Sequence, residues 1–118
     1  MQIYLACTVR GSRAGVPAAR LVAARLEALG HQVLTSHLLQ DDVEQAEASV
    51  SERDVFDRDL RWLDSCDALV AEASGSTYGV GFEVGYLTGR APETGQRVYL
   101  LFDAARRHAV SRMASGFS

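Results

Sequence analysis

The chain has 118 residues, 47% hydrophobic content and a net charge of -3. That composition fits one globular domain, residues 1–118, with a real core. It gives no electrostatic case for binding a nucleic-acid polymer or an anionic membrane surface. Its apolar runs are strand-sized, well short of the roughly 18 residues of a membrane span. Met1-Gln2-Ile3-Tyr4-Leu5 lacks the basic and apolar regions of a signal peptide, so a cytoplasmic protein is expected. Cys7 and Cys66 lack metal-like spacing and read as buried, reduced thiols.

Ile3 to Cys7 reads as a buried first strand. It ends in the Gly- and Arg-rich loop Thr8 to Gly15. Pro17 suits a first helical turn, and Leu21, Val22, Arg25, Leu26 and Leu29 follow at helical spacing up to Gly30. His31 to Thr35 reads as a short second strand. Residues 39–52 are acidic and weakly patterned, so a loop or weak helix is expected. Val55, Leu60, Trp62 and Leu63 predict a helix from Glu52 to Ser65. Asp67 to Glu72 reads as a third strand, followed by the small-polar loop Ala73 to Thr77. A helix is predicted over Val80 to Arg90, then a turn at Ala91 to Gly95 that contains Pro92. Arg97 to Phe102 reads as a fourth strand and Arg107 to Ala114 as a last short helix. Apolar strands alternating with helices predict an α/β fold with a parallel sheet covered on both faces. Ligands of such sheets bind at the carboxyl ends of the strands.

Chemistry concentrates in those loops. Thr8, Arg10, Gly11, Ser12 and Arg13 offer hydroxyls, guanidiniums and backbone N–H groups before a helix. The loop reads equally as a phosphate site or as a solvated turn. It has neither a Walker pattern nor a dinucleotide fingerprint, so a mononucleotide or sugar phosphate fits better than ATP or NAD. Tyr78-Gly79-Val80-Gly81-Phe82-Glu83-Val84-Gly85 opens the later helix, with glycines that let backbone approach a ligand. Glu83, placed in the first turn among apolar and aromatic neighbours, reads as a nucleophile or base rather than a helix-dipole charge. Asp59, taken alone, reads as an exposed helical charge. His37 reads either as a ligand contact or as a loop residue. No cluster has metal-ligand spacing and no cofactor is expected.

Several of these segments, in order, resemble the 2′-deoxynucleoside 5′-phosphate N-hydrolases of the nucleoside 2-deoxyribosyltransferase superfamily. Ile3 to Gly11 is similar to the family's first strand and Gly-Ser-Ile-Arg-Gly loop. Asp59-Leu60-Arg61-Trp62-Leu63 and Asp67 to Glu72 are similar to its Asp-Leu-x-Trp-Leu helix and third strand. Gly79 to Gly85 is similar to its Gly-Val-Gly-Tyr-Glu-Leu-Gly signature. Val98 to Phe102, Ser111-Arg112-Met113 and Gly116 are similar to its fourth strand and following segment.

The resemblance implies a Rossmann-like, flavodoxin-like three-layer domain with four or five strands. It implies a homodimer that hydrolyses deoxynucleoside 5′-monophosphates to free base and 2-deoxyribose 5-phosphate. Glu83 would be the nucleophile, Asp59 the proton donor to the base, and Tyr4 the residue that orients Glu83 and crowds the 2′ position. Thr8, Arg10, Gly11, Ser12, Arg13 and Thr77 would hold the phosphate, with Gly79 and Gly81 in the binding segment. His37 would lie near the base, and Ser111 would reach the phosphate of the partner subunit. The alternatives are a deoxyribosyltransferase and a nucleotide-binding or sensing domain without turnover. Cys7 stands where the family usually has glycine, and the family usually continues past Gly116 with a further strand and helix.

Overall fold

The computed structural model describes residues 1–10, 12–75 and 77–117. Gly11, expected in the phosphate loop, lies outside the described residues. Four strands form one all-parallel sheet: β1 (Gln2–Ala6), β2 (Gln32–Val33), β3 (Ala68–Glu72) and β4 (Arg97–Leu101). Their order across the sheet is β2-β1-β3-β4. The helices are α1 (Val16–Ala28), α2 (Val43–Glu47), α3 (Glu52–Ser65), α4 (Tyr78–Thr94) and α5 (Arg112–Ser115). Three-residue-per-turn segments occupy Ser36–Leu39 and Ala104–Ala109.

Period-two alternation in β1 divides the core into two layers. Ile3, Leu5 and Cys7 pack with Val16, Ala19 and Ala23 of α1. Tyr4 and Ala6 point the other way, onto Leu63 of α3 and Val80 and Leu87 of α4. β3 is buried throughout, as a central parallel strand should be. The chain leaves β1 towards β2 on one side and returns to β3 on the other. The switch point therefore lies between β1 and β3, and the loops after both strands open there.

The predicted α/β architecture stands, with four strands, and α3 starts and stops where the periodicity places it. Ser51 Oγ accepts from Asp54 N at 3.1 Å and caps the first turn of α3. Three elements differ from expectation. β2 shrinks to two residues: Leu34 N still donates to Ile3 O at 2.9 Å, but Thr35 then meets Leu5 through its side chain, Oγ1 accepting from Leu5 N at 3.1 Å and donating to Leu5 O at 2.6 Å. The acidic stretch folds into the segment at Ser36–Leu39 and the short α2. α4 runs on through Pro92 to Thr94 instead of ending at Arg90. Proline removes one N–H there, on the exposed face of the last turn, and the helix stops at Gly95 with φ of 76°. The last helix is a three-residue-per-turn segment followed by four residues of α5.

Leu87 anchors α4 to the sheet and is fully buried. Leu87→Ala is expected to cost about 2–5 kcal/mol of stability. Urea unfolding should show a lower midpoint with an unchanged slope.

Candidate active site

The loops after β1 and β3 and the start of α4 enclose a cavity of about 350 Å³. A volume of that size suits a nucleotide-scale ligand. Asp59 from α3 and Glu83 from α4 both line it. So do Thr8, Arg10, Thr77 and Gly79. The cavity thus has a carboxylate pair together with a set of hydroxyls, a guanidinium and a helix start.

Glu83 is the sixth residue of α4, because the helix begins at Tyr78. It is therefore in the second turn, beyond the strongest reach of the helix dipole. The expectation that it sits in the first turn of this helix is not met. Burial, reinforced by the neighbouring Asp59 carboxylate, pushes its pKa up to about 8. The Tyr4 hydroxyl opposes this shift. Tyr4 itself is fully buried beneath the site, on the α3–α4 face of β1. Among the described residues its hydroxyl makes no hydrogen bond of good distance and angle. It is still close enough for Tyr4 and Glu83 to shift one another's titration, both being raised mainly by burial.

Asp59 is not the exposed charge that its sequence alone suggests, since its side chain is only 20% exposed. Burial raises its pKa, while Arg58 pulls it down. Arg58 Nε donates to Asp59 Oδ1 at 2.9 Å, and Arg58 Nη1 lies 2.9 Å from Glu47 Oε1. Two carboxyls in one poorly solvated cavity resist simultaneous ionisation and titrate as a pair.

The other expected residues divide into those on the cavity and those off it. Thr8 Oγ1 and Thr77 Oγ1 are 3.3 Å apart, joining the two loops. Gly75 sits close behind: a Cβ there would lie 2.9 Å from Thr8 Oγ1, so glycine permits the approach. Arg10 is 82% exposed and makes a loose pair with Glu44 at 3.8 Å. Gly79 lines the cavity, whereas Gly81 faces outward with open space around it. Ser12 is exposed and off the cavity.

Arg13 is committed elsewhere. Its guanidinium donates to the carbonyls of Thr8, Leu38 and Gln40 at 3.0, 3.2 and 3.0 Å. This clamps the first loop to the cavity wall rather than leaving a cation for a ligand. His37 does not line the cavity either. It pairs with Glu47 at 3.1 Å and packs edge-on against Trp62. Ser111 is exposed at the start of α5 and does not line its own chain's cavity.

Sequence reasoning missed Arg58 and Glu47, both on the cavity. Arg58 and Trp62 stand four apart on α3, a spacing that could have signalled their stacking. Glu47 carried no such signal, because its short helix is weakly patterned. Cys7 lies on the cavity as well, and burial raises its thiol pKa. Among the described residues, no group of His, Cys, Asp and Glu could hold a metal ion, and no helix is long and apolar enough to cross a membrane.

Glu83 also makes a stability prediction. Its folded pKa is raised above the unfolded value of 4.5, so folding favours the protonated form. Stability is then full below the unfolded value and falls as pH rises towards about 8. Glu83→Gln removes that loss. At pH 8 the variant should be more stable than the parent by on the order of a few kcal/mol, seen as a higher melting temperature, and the difference should shrink at pH 5. A pH-independent difference between the two melting curves would rule out the buried-proton account.

A search of curated proteins found no match. The family described as nucleoside 2-deoxyribosyltransferase matches residues 3–116. With its parallel α/β sheet and nearly its whole length matched, the chain belongs to the nucleoside 2-deoxyribosyltransferase family, whose chemistry acts on the glycosidic bond of nucleosides.

Proposed function

We propose that the protein hydrolyses the N-glycosidic bond of 2′-deoxynucleoside 5′-monophosphates. The observation that carries this reading is one cavity holding the Glu83–Asp59 pair together with Thr8, Arg10, Thr77 and Gly79. A deoxynucleotide needs both features: a carboxylate at C1′ and an anion site at its 5′ end. The first N–H groups of a helix lack intrahelical partners, and α4 begins at the cavity.

In the first step a Glu83 carboxylate oxygen bonds to C1′ as the bond from C1′ to the base breaks. The bonding electrons leave with the base nitrogen, and Asp59 supplies a proton to the base. In the second step water attacks C1′, the ester to Glu83 breaks, and the Asp59 carboxylate takes the water's proton. This is retaining glycoside chemistry, with an oxocarbenium-like transition state. A deoxyribosyl cation forms more readily than a ribosyl one, because the electron-withdrawing 2′-hydroxyl is absent. Tyr4, beneath Glu83, would crowd a 2′-hydroxyl and steady the nucleophile. Fixing the remote phosphate holds C1′ against the carboxylate and so lowers the chemical barrier. The active unit is a cytoplasmic homodimer in which Ser111 completes the phosphate site of the second chain.

Arg10, exposed at the cavity, is the arginine assigned to the phosphate. Base release from deoxynucleoside 5′-monophosphates should far exceed that from the matching nucleosides. Arg10→Ala should erase most of that preference while leaving the melting temperature unchanged. A charge-assisted phosphate contact is worth on the order of 1.5–3 kcal/mol. Equal rates for nucleoside and nucleotide, with an exchanged nucleoside appearing when a second base is added, would instead identify a transferase.

The reactive form has one proton on the pair, held by Asp59, with Glu83 ionised. A bell-shaped pH profile of kcat/KM is therefore expected. Its alkaline limb should fall near pH 8, where the pair loses its last proton. Asp59→Asn removes the like charge that raises Glu83. The residual activity should then rise with pH along a single limb, placed below the parent's alkaline limb. A bell retained in Asp59→Asn would exclude Asp59 as the proton donor.

A further inference from the structure

We propose that Arg58 is a positioning residue that sets the orientation and protonation of Asp59, an inference that rests on the hydrolytic reading above. Adjacent residues on a helix do not face one another, so an Arg58–Asp59 hydrogen bond requires the guanidinium to fold back along α3. Two neighbours hold it there. Glu47 of α2 takes Nη1, and the Trp62 ring lies 4.9 Å below the guanidinium carbon. His37 closes the arrangement, pairing with the same Glu47 and meeting the edge of Trp62 at 5.6 Å. Arg58 is only 22% exposed, so bulk water does little to loosen these contacts.

This arrangement has two chemical consequences. Nε occupies Oδ1 of Asp59, and no hydrogen bond to Oδ2 is recorded among the described residues. Oδ2 is then the oxygen that carries the proton to the leaving base. The fixed positive charge also opposes the upward push of burial on Asp59. The groups facing Asp59 are Arg58 on its own helix, Glu47 from α2, His37 from the segment after β2, Glu83 from α4 and Tyr4 from β1. Of these, Arg58 alone both donates to the carboxyl and carries a permanent charge. A purely structural alternative exists, in which Arg58 only ties α2 to α3 through Glu47.

Two variants separate the readings. Arg58→Met keeps the stem over Trp62 and removes the charge and both hydrogen bonds. Arg58→Lys keeps a charge but cannot serve Glu47 and Asp59 together. Carbon-13 NMR of the Asp59 carboxyl in the substrate-free protein should show its titration moving to higher pH, furthest in Arg58→Met and less in Arg58→Lys. With deoxynucleotides whose bases leave poorly, kcat should fall about 10–100-fold in Arg58→Met, with KM within about threefold and partial recovery in Arg58→Lys. The alkaline limb of the rate profile should move up in the same order. An unmoved Asp59 titration with a lowered melting temperature would leave Arg58 as a structural tie and overturn the proposal. Should Arg58→Met not fold, the Arg58→Lys titration decides by the same criterion. Should the parent release no base from any deoxynucleotide, the hydrolytic reading fails, while the titration still decides whether Arg58 governs Asp59.

Discussion

Two carboxyl groups that share a poorly solvated cavity cannot both be ionised cheaply, and the site is organised around that constraint. Burial raises both Glu83 and Asp59, and the Asp59 carboxylate raises Glu83 further. Proton placement then becomes the central question of mechanism. Burial favours the proton on Glu83, whereas the proposed hydrolysis needs it on Asp59. A base nitrogen arriving beside Asp59 as an acceptor can tip that balance, as can a donor to Glu83. Tyr4 is placed for the second task, since its buried hydroxyl has no competing partner among the described residues.

The fold supplies the rigidity that such a balance needs. Tyr4 is fixed by β1, Asp59 by α3 and Glu83 by α4, so the three groups come from three elements packed on one face of the sheet. The opposite wall of the cavity is built differently. The segment at Ser36–Leu39 and the five-residue α2 are too short to hold themselves by helix propensity. Arginine side chains hold them instead. Arg13 takes the carbonyls of Leu38 and Gln40, and Arg20 takes the Leu39 carbonyl and Asp41. Arg58 takes Glu47. The wall's position is therefore borrowed from α1, the first loop and α3.

That difference explains what was legible in the sequence. β1, β3 and α3 carry their signals locally, as alternation, continuous burial and helical spacing, and they appear as read. The extension of α4 through Pro92 was hidden because a proline normally marks an end, and only the exposed last turn makes it tolerable here. The wall was illegible because arginines distant in sequence hold it, and nothing in residues 39–52 announces its partners. The same cause misassigned Arg13. In sequence it is indistinguishable from Arg10, being another loop arginine before a helix. Only the fold shows that one points out to solvent while the other grips backbone. Asp59 was hidden similarly, since only the fold shows it half-buried with Arg58 folded back beside it.

Arg10 and Arg13 also bear on how hydrolase and transferase chemistry divide within the family. On the proposed mechanism both reactions would pass through the same ester between Glu83 and C1′, so the carboxylate pair would not choose between them. The choice lies in which group attacks the ester and in what holds the sugar while it waits. A sugar held only by its ring and base depends on the second base to keep water out. A sugar held by a phosphate stays bound after the first base departs, and water can enter the vacated volume. A loosely paired, exposed guanidinium at the cavity would thus bear on the second half of the reaction as much as on substrate recognition. Had Arg10 been clamped like Arg13, the same two carboxylates would suit transfer better than hydrolysis.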